Sequence, residues 1–177
     1  MNNPMLPTLR RFCYTPYASV SRATLIFAVS LVLAAVLLAA FSGARASAAV
    51  TCNKGEFLAQ YRNELRTFNT RPVLRRCEPT INNDWGSGST GSGVNADAFT
   101  ARWVGTFDFE ASGYEFTATS DDGVRVWVDG QLLIDQWKDQ GATTYKATKA
   151  MTAGEHKVKV EYYENGGDAV AKVAIAP

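Results

Sequence analysis

The chain has 177 residues, 46% hydrophobic and 20% charged, with a formal net charge of +1 at pH 7 and a single histidine. This length allows one ordinary domain with a short additional segment, not two large domains. Residues 1–46 hold four of the 18 basic side chains and none of the 17 acidic ones, so the remainder is net acidic. A net-acidic domain lacks the basic face that nucleic-acid binding requires, and one histidine excludes metal sites built from several histidines.

The first predicted element is an apolar segment, residues 24–41, with three arginines before it and small residues after it. This order is typical of a secretory signal peptide, with cleavage expected after Ala46 or Ala48. The run of 18 uncharged residues is also just long enough to cross a bilayer as a helix, so an uncleaved signal anchor is the alternative. Either outcome places the following residues outside the cytoplasm, secreted or membrane-anchored. We therefore divide the chain into residues 1–48, signal peptide or anchor, and residues 49–177, one folded domain.

The cysteines agree with export. Cys13 lies in the leader, which leaves Cys52 and Cys77 as a pair in the folded domain. In an oxidising compartment such a pair is expected to form a disulfide, and two unpaired buried thiols are the alternative. The bond would close a loop of about 25 residues, a constraint on the unfolded chain worth roughly 3.5 kcal/mol.

Period-two alternation of apolar and polar residues dominates the chain after Cys52. Four runs share this pattern: FTARWVGTF (99–107), YEFTATS (114–120), VRVWV (124–128) and HKVKVEYY (156–163). Each run would bury one face and leave the other wet. Turn signals separate the runs, the strongest being Asp129-Gly130, and the Gly- and Ser-rich residues 85–95 indicate a flexible loop. The prediction is an all-β fold, a single antiparallel β-sandwich or barrel.

Two acidic residues, Asp121 and Asp122, stand between two of these predicted strands, at a loop apex. A solvated acidic turn is one interpretation. The functional interpretation is a Ca²⁺ site, because calcium takes six to eight oxygen ligands from carboxylates, amides and backbone carbonyls. The loop at residues 164–168 has a similar setting between strands and offers Asn165, Asp168 and its carbonyl groups. The D-x-D-x-D-G pattern of a helix-loop-helix calcium site is absent.

Aromatic residues follow the Asp-Asp pair. Arg125 and Trp127 are predicted on the wet face of the strand that leaves it, and Trp137 lies in the connection after the next strand. Exposed aromatic rings near a polar loop can stack on sugar rings, so Trp127 and Trp137 are candidate ligand-binding residues. Arg125, on the same strand face as Trp127, is the third candidate. The alternative is that neighbouring segments cover them as a small satellite cluster.

Catalysis has little support in the sequence. His156 opens a strand on its apolar-facing side, and there is no G-x-S-x-G nucleophile motif. Glu161 and Glu164 could be proposed as a glycosidase pair, but such pairs are defined by separation in space and not by spacing in sequence. We expect a protein that is not an enzyme.

Four motifs carry a family resemblance: TINNDWGSGS (80–89), NADAFTARWVGTF (95–107), YEFTATSDDGVRVWVDGQLLIDQW (114–137) and TAGEHKVKVEYYENGGDAV (152–170). In this order they resemble the domain family named after anthrax protective antigen, a β-sandwich module of adhesins, glycosidases and yeast flocculins. The resemblance covers essentially all of the chain after Cys52.

The resemblance implies extracellular carbohydrate recognition. In sugar-binding members, paired aspartates joined by a cis peptide bond hold Ca²⁺, which contacts sugar hydroxyls directly. The matching positions here are Asp121 and Asp122, and a second ligand loop corresponds to residues 164–168, with Asn165 and Asp168 as candidates. The insertions that shape the flocculin sugar pocket are missing, which leaves the sugar specificity open.

The expected function is therefore a calcium-dependent, lectin-like module that binds a glycan or cell-surface polysaccharide. Membrane attachment through residues 24–41 is compatible with it. The alternative is a non-catalytic structural or protein-interaction ectodomain of the cell envelope without a sugar ligand.

Overall fold

The computed structural model describes residues 49–177, so the predicted signal peptide or anchor over residues 1–48 lies outside the described residues. The described chain forms ten strands: β1 Phe57–Arg62, β2 Leu74–Glu78, β3 Ile81–Gly86, β4 Phe99–Phe109, β5 Ser112–Asp121, β6 Gly123–Val128, β7 Gln131–Gln136, β8 Thr143–Met151, β9 Gly154–Glu164 and β10 Ala169–Ala176. Between residues 49 and 177 there is no helix with the length and apolar character needed to cross a bilayer.

The strands form two antiparallel sheets. The six-stranded sheet has the order β2-β1-β4-β9-β6-β7, and the four-stranded sheet has the order β3-β10-β5-β8. The long strands β4 and β9 pair at the centre of the larger sheet, from Phe99 opposite Glu164 to Phe109 opposite Gly154. The predicted all-β antiparallel fold is confirmed, in its sandwich form.

The core consists of the inward residues that alternation predicted. In β4, Phe99, Ala101 and Trp103 have no exposed surface. One buried polar group of the core is fully paired: the Trp103 indole donates a hydrogen bond of 2.7 Å to Glu78, and the Tyr61 hydroxyl donates one of 2.6 Å to the same carboxylate. Both carboxylate oxygens of Glu78 thus accept hydrogen bonds from buried side chains.

Three residues that alternation placed on wet strand faces, Thr100, Glu161 and Tyr163, are buried. Alternation placed Tyr163 on the wet face of its strand, but the residue is fully buried. Trp137 packs edge-on against its ring with centroids 4.7 Å apart, and the Arg66 guanidinium lies 4.8 Å from the ring centroid. Because loop side chains cover this end of the outer sheet face, a position that alternation marks as exposed becomes buried.

Cys52 and Cys77 are joined by a disulfide, with their Cα atoms 5.5 Å apart. Cys77 pairs in register with Leu58, near the start of β1. The bond therefore fixes the segment before β1 to the edge strand β2, at one end of the sandwich.

The connections at the opposite end come together because the strands alternate in direction. Five connections lie there: residues 63–73, 87–98, Asp122, 137–142 and 165–168. The Asp-Asp pair and the second predicted ligand loop are thus at the same end, whereas the chain enters β1 from the disulfide end.

Candidate calcium and ligand site

The chain crosses from one sheet to the other at the Asp-Asp pair. Asp121 ends β5 in the four-stranded sheet, opposite Val170, while Gly123 starts β6 in the six-stranded sheet, opposite Tyr163. Glu164, the last residue of β9, lies beside this crossing. One carboxylate oxygen from each of Asp121, Asp122 and Glu164 lies within 4.8 Å of the others, and we call these three residues the carboxylate cluster.

Backbone geometry at the crossing is unusual in two respects. The Asp121–Asp122 peptide bond is cis, the geometry that the family resemblance implied. Gly123 is required for steric reasons, because a Cβ atom there would lie 2.1 Å from the Cε1 atom of Tyr163. A side chain at this position therefore conflicts with the buried tyrosine ring.

Asp122 links two loops to the crossing. Its Oδ1 accepts a hydrogen bond of 2.8 Å from the Gln140 backbone N–H, and its Oδ2 accepts one of 2.9 Å from the Asn165 backbone N–H. The Gln140 side-chain amide donates a further bond of 3.0 Å to the Asp122 carbonyl. Asp122 is 6% exposed, and these contacts fix its orientation within the carboxylate cluster.

Glu164 is fully buried, and its Oε1 has no hydrogen-bond partner. Burial, followed by the nearby charges of Asp122 and Asp121, raises the pKa of Glu164 to about 7. Its Oε2 lies 2.9 Å from the Tyr162 hydroxyl, which also contacts the Asp121 carbonyl oxygen. One hydroxyl proton cannot serve both acceptors, so a protonated Glu164 that donates to Tyr162 satisfies this network without a cation.

The predicted ligands take different places. Burial and the Asp122 charge raise the pKa of Asp121, and Asp168 contributes in the same direction. Asp168 itself is exposed and is not one of the three clustered carboxylates. Asn165 is also exposed, and its contact with Asp122 is made by the backbone and not by the side chain.

Glu164 is a candidate ligand that was not predicted from the sequence. The signal was present, because Glu164 continues the inward-facing series Val158, Val160 and Tyr162 and stands next to the predicted ligand loop. An acid on the inward face needs a compensating partner, and that requirement could have identified it.

The donor set fits a hard divalent cation. The carboxylate cluster supplies oxygen ligands only, as calcium prefers, and the loop of residues 165–168 meets it through the Asn165 N–H. The unpartnered Oε1 of Glu164 is the atom that a cation would satisfy. Asp121, Asp122 and Glu164 are the residues that would hold it.

Of the three candidate ligand-binding side chains, Arg125 and Trp127 belong to β6, and Trp137 packs against Tyr163 of β9. A basic side chain lies over each of the two tryptophan rings. The Arg125 guanidinium is 4.1 Å from the Trp137 ring centroid, and the Lys159 ammonium is 3.5 Å from that of Trp127. Both tryptophans remain half-buried, so their role in ligand binding stays a prediction.

The acids considered for glycoside hydrolysis point in opposite directions from β9. Glu161 faces outward and is held by Arg102, with a shortest N–O distance of 2.7 Å, while Glu164 faces the interior. Side chains on opposite faces of a strand cannot flank one glycosidic bond.

His156 has a structural role between two turns. Its Nδ1 donates to Asp129 Oδ2 at 2.5 Å, and its Nε2 donates to the Thr152 carbonyl oxygen at 3.0 Å. The hydrogen bond to Asp129 raises the pKa of His156, which favours this doubly protonated form. A ring that donates from both nitrogens cannot act as a base toward the Thr152 hydroxyl.

Comparison with known proteins identifies relatives that include anti-sigma factors. A 100-residue segment, 55% of this chain, is 41% identical to the anti-sigma-I factor RsgI3 of Acetivibrio thermocellus and spans 16% of that protein. A solved anti-sigma factor domain-containing protein is 35% identical, with a TM-score of 0.64, over 68% of this chain and 42% of the other. This chain thus spans less than half the length of either relative.

The chain is also similar to a domain of an adhesin. The solved PA14 sugar-binding domain from an RTX adhesin is 18% identical, with a TM-score of 0.57, over 70% of this chain and 90% of that domain. At this identity the likeness shows a shared fold. Residues 57–175 match the PA14 domain family as a whole. The chain therefore belongs to the PA14 domain family, the protective-antigen family that its motifs resemble.

Proposed function

We propose that the domain is an extracytoplasmic carbohydrate-binding module in which a Ca²⁺ ion on the carboxylate cluster contacts sugar hydroxyls. The observation that carries the proposal is the fully buried Glu164, whose Oε1 lacks a partner beside two aspartates. A solved member of the family is named as a sugar-binding domain, which supports the same assignment.

Electrostatics favours a cation at this position. Two of the three carboxylates are nearly or fully buried, so water screens their mutual repulsion poorly. A divalent cation would replace that repulsion with attraction, and hard oxygen ligands suit calcium. The loop that contacts Asp122 through the Asn165 N–H is exposed, so the hydroxyl groups of a ligand would approach the cluster from this side.

A glycan array with added calcium, and again with a chelator, tests the proposal. Asp121→Asn and Glu164→Gln remove one charge each while retaining the side-chain shape, and both variants should lose calcium-dependent glycan binding. Asp108→Asn is the matched control, because Asp108 is an exposed acid at the disulfide end, paired with Lys54 at 2.8 Å. Glycan binding that is unchanged by the chelator and by both variants would contradict the proposal.

A second candidate is a protein-interaction ectodomain. Two relatives at 41% and 35% identity are named as anti-sigma factors, and cations partly cover the two tryptophans considered for sugar stacking. In this role a protein partner would bind equally well in the presence of a chelator and to the Glu164→Gln variant. The same pair of conditions therefore separates the two functions.

A further inference from the structure

The loop beside the carboxylate cluster contains the only Asn-Gly dipeptide of the sequence, Asn165-Gly166. Asn165 is exposed, and no hydrogen bond to its side-chain amide occurs among residues 49–177. The space around Gly166 is open, since a Cβ atom built there would meet nothing within 4 Å. A second glycine, Gly167, follows with φ +110°.

These features bring an unhindered backbone nitrogen close to an uncommitted side-chain amide. We propose that Asn165 is a site of spontaneous deamidation. The Gly166 nitrogen attacks Cγ of Asn165, a new N–C bond closes a five-membered succinimide, and the side-chain nitrogen leaves as ammonia with the displaced amide proton. Water then opens the ring at either carbonyl and leaves aspartate or isoaspartate at position 165. The sequence of steps consumes water only and involves no oxidation.

The modification takes place at contacts of the carboxylate cluster. The Asn165 N–H donates to Asp122 at 2.9 Å, and Asn165 directly follows Glu164 in the chain. Both products add a negative charge beside three acids, and isoaspartate also inserts a methylene group into the backbone of this loop. The consequence for calcium rests on the proposed function: the isoaspartate form should bind the ion more weakly, because its loop is displaced.

Mass spectrometry of the purified protein tests the site directly. After incubation at neutral pH, trypsin cleavage after Lys159 and Lys172 releases the peptide of residues 160–172, which contains Asn165. We expect a time-dependent mass increase of one amide-to-acid conversion, located at Asn165 and absent at the other asparagines. Gly166→Ala is the matched variant, because the open space around Gly166 accepts a methyl group, and it should slow the conversion several-fold.

Equal rates in the wild-type protein and the Gly166→Ala variant, or no conversion at Asn165, would overturn the proposal. A parallel incubation with calcium tests the link to the cluster separately. A bound ion should slow the conversion, since it would order Glu164, which precedes Asn165, and Asp122, which accepts a hydrogen bond from the Asn165 N–H. Conversion that proceeds at the same rate with and without calcium would contradict that link and leave deamidation itself intact.

Discussion

The close contact between Gly123 and Tyr163 allows a quantitative prediction for the Gly123→Ala variant. The new Cβ would lie 2.1 Å from one ring carbon of Tyr163 and 2.7 and 2.9 Å from two others, distances that real Cβ contacts essentially never show. The ring cannot retreat freely, because Trp137 packs on it at 4.7 Å and its hydroxyl donates to Asp139 at 2.9 Å. Overpacking in such a site costs about 1–3 kcal/mol, and we expect a value at the upper end.

Chemical denaturation of four proteins measures this cost. They are the wild type, Gly123→Ala, Tyr163→Ala and the double variant. Gly123→Ala should lower the free energy of unfolding by about 3 kcal/mol in the wild-type background and by much less in the Tyr163→Ala background. Gly113→Ala serves as control, because a Cβ there meets no atom within 4 Å. An equal cost of Gly123→Ala in both backgrounds would refute the steric explanation.

Three further predictions concern stability. The Glu78→Ala variant leaves the Tyr61 hydroxyl and the Trp103 indole N–H without an acceptor. It should lower the free energy of unfolding, measured by urea denaturation, by about 3 kcal/mol or more. A loss as small as that from replacing an exposed glutamate would contradict this hydrogen-bond network. The pair of His156 and Asp129 should make stability depend on pH. The pKa of His156 is raised, so the stabilisation by His156 is complete below its ordinary pKa of 6.5 and is lost as pH rises through the pKa in the folded state. The pKa of Asp129 is lowered, so the stabilisation by Asp129 is complete above its ordinary pKa of 3.8 and is lost as pH falls through the pKa in the folded state. The stability difference between wild type and His156→Gln should therefore be largest between these two values, and a difference that grows above neutral pH would be the wrong sign. Reduction of the disulfide between Cys52 and Cys77 should lower the free energy of unfolding by roughly 3.5 kcal/mol, and an unchanged denaturation midpoint under reducing conditions would show that the loop constraint is unimportant.

The fold was accessible from the sequence because alternation reports burial directly. The inward series of β4 and β6, such as Trp103 and Val126, is buried as predicted. Alternation failed at Tyr163, where burial depends on Trp137 and Arg66 from distant loops. Periodicity describes one strand and its sheet faces, so it contains no information on which loops fold back over them.

The candidate site was only partly accessible for a related reason. The Asp-Asp pair could be found because both acids are adjacent in the chain and match a family motif. Glu164 reaches them only through the pairing of β9 with β6, a long-range register that spacing does not encode. The buried contacts of Asp122 with Gln140 and Asn165 likewise depend on three connections meeting at one end.

The carboxylate cluster also predicts how Glu164→Gln affects the protein without metal. Replacement of the buried acid by its neutral isostere removes a like charge beside two aspartates, so the metal-free variant should be at least as stable as the wild type. A thermal melt in the presence of chelator measures this. A strongly destabilised variant would mean that the Glu164 charge is compensated within the protein and needs no cation.

Calorimetric titration of calcium into the wild-type protein and Glu164→Gln measures whether the carboxylate cluster binds the ion. We expect one ion per chain for the wild type, with a dissociation constant of about 10⁻⁴ to 10⁻³ M, the range of known extracellular calcium modules. We expect no measurable binding for Glu164→Gln and unchanged binding for Asp108→Asn. Absence of calcium binding by the wild type, or equal binding by Glu164→Gln, would contradict the proposed calcium site.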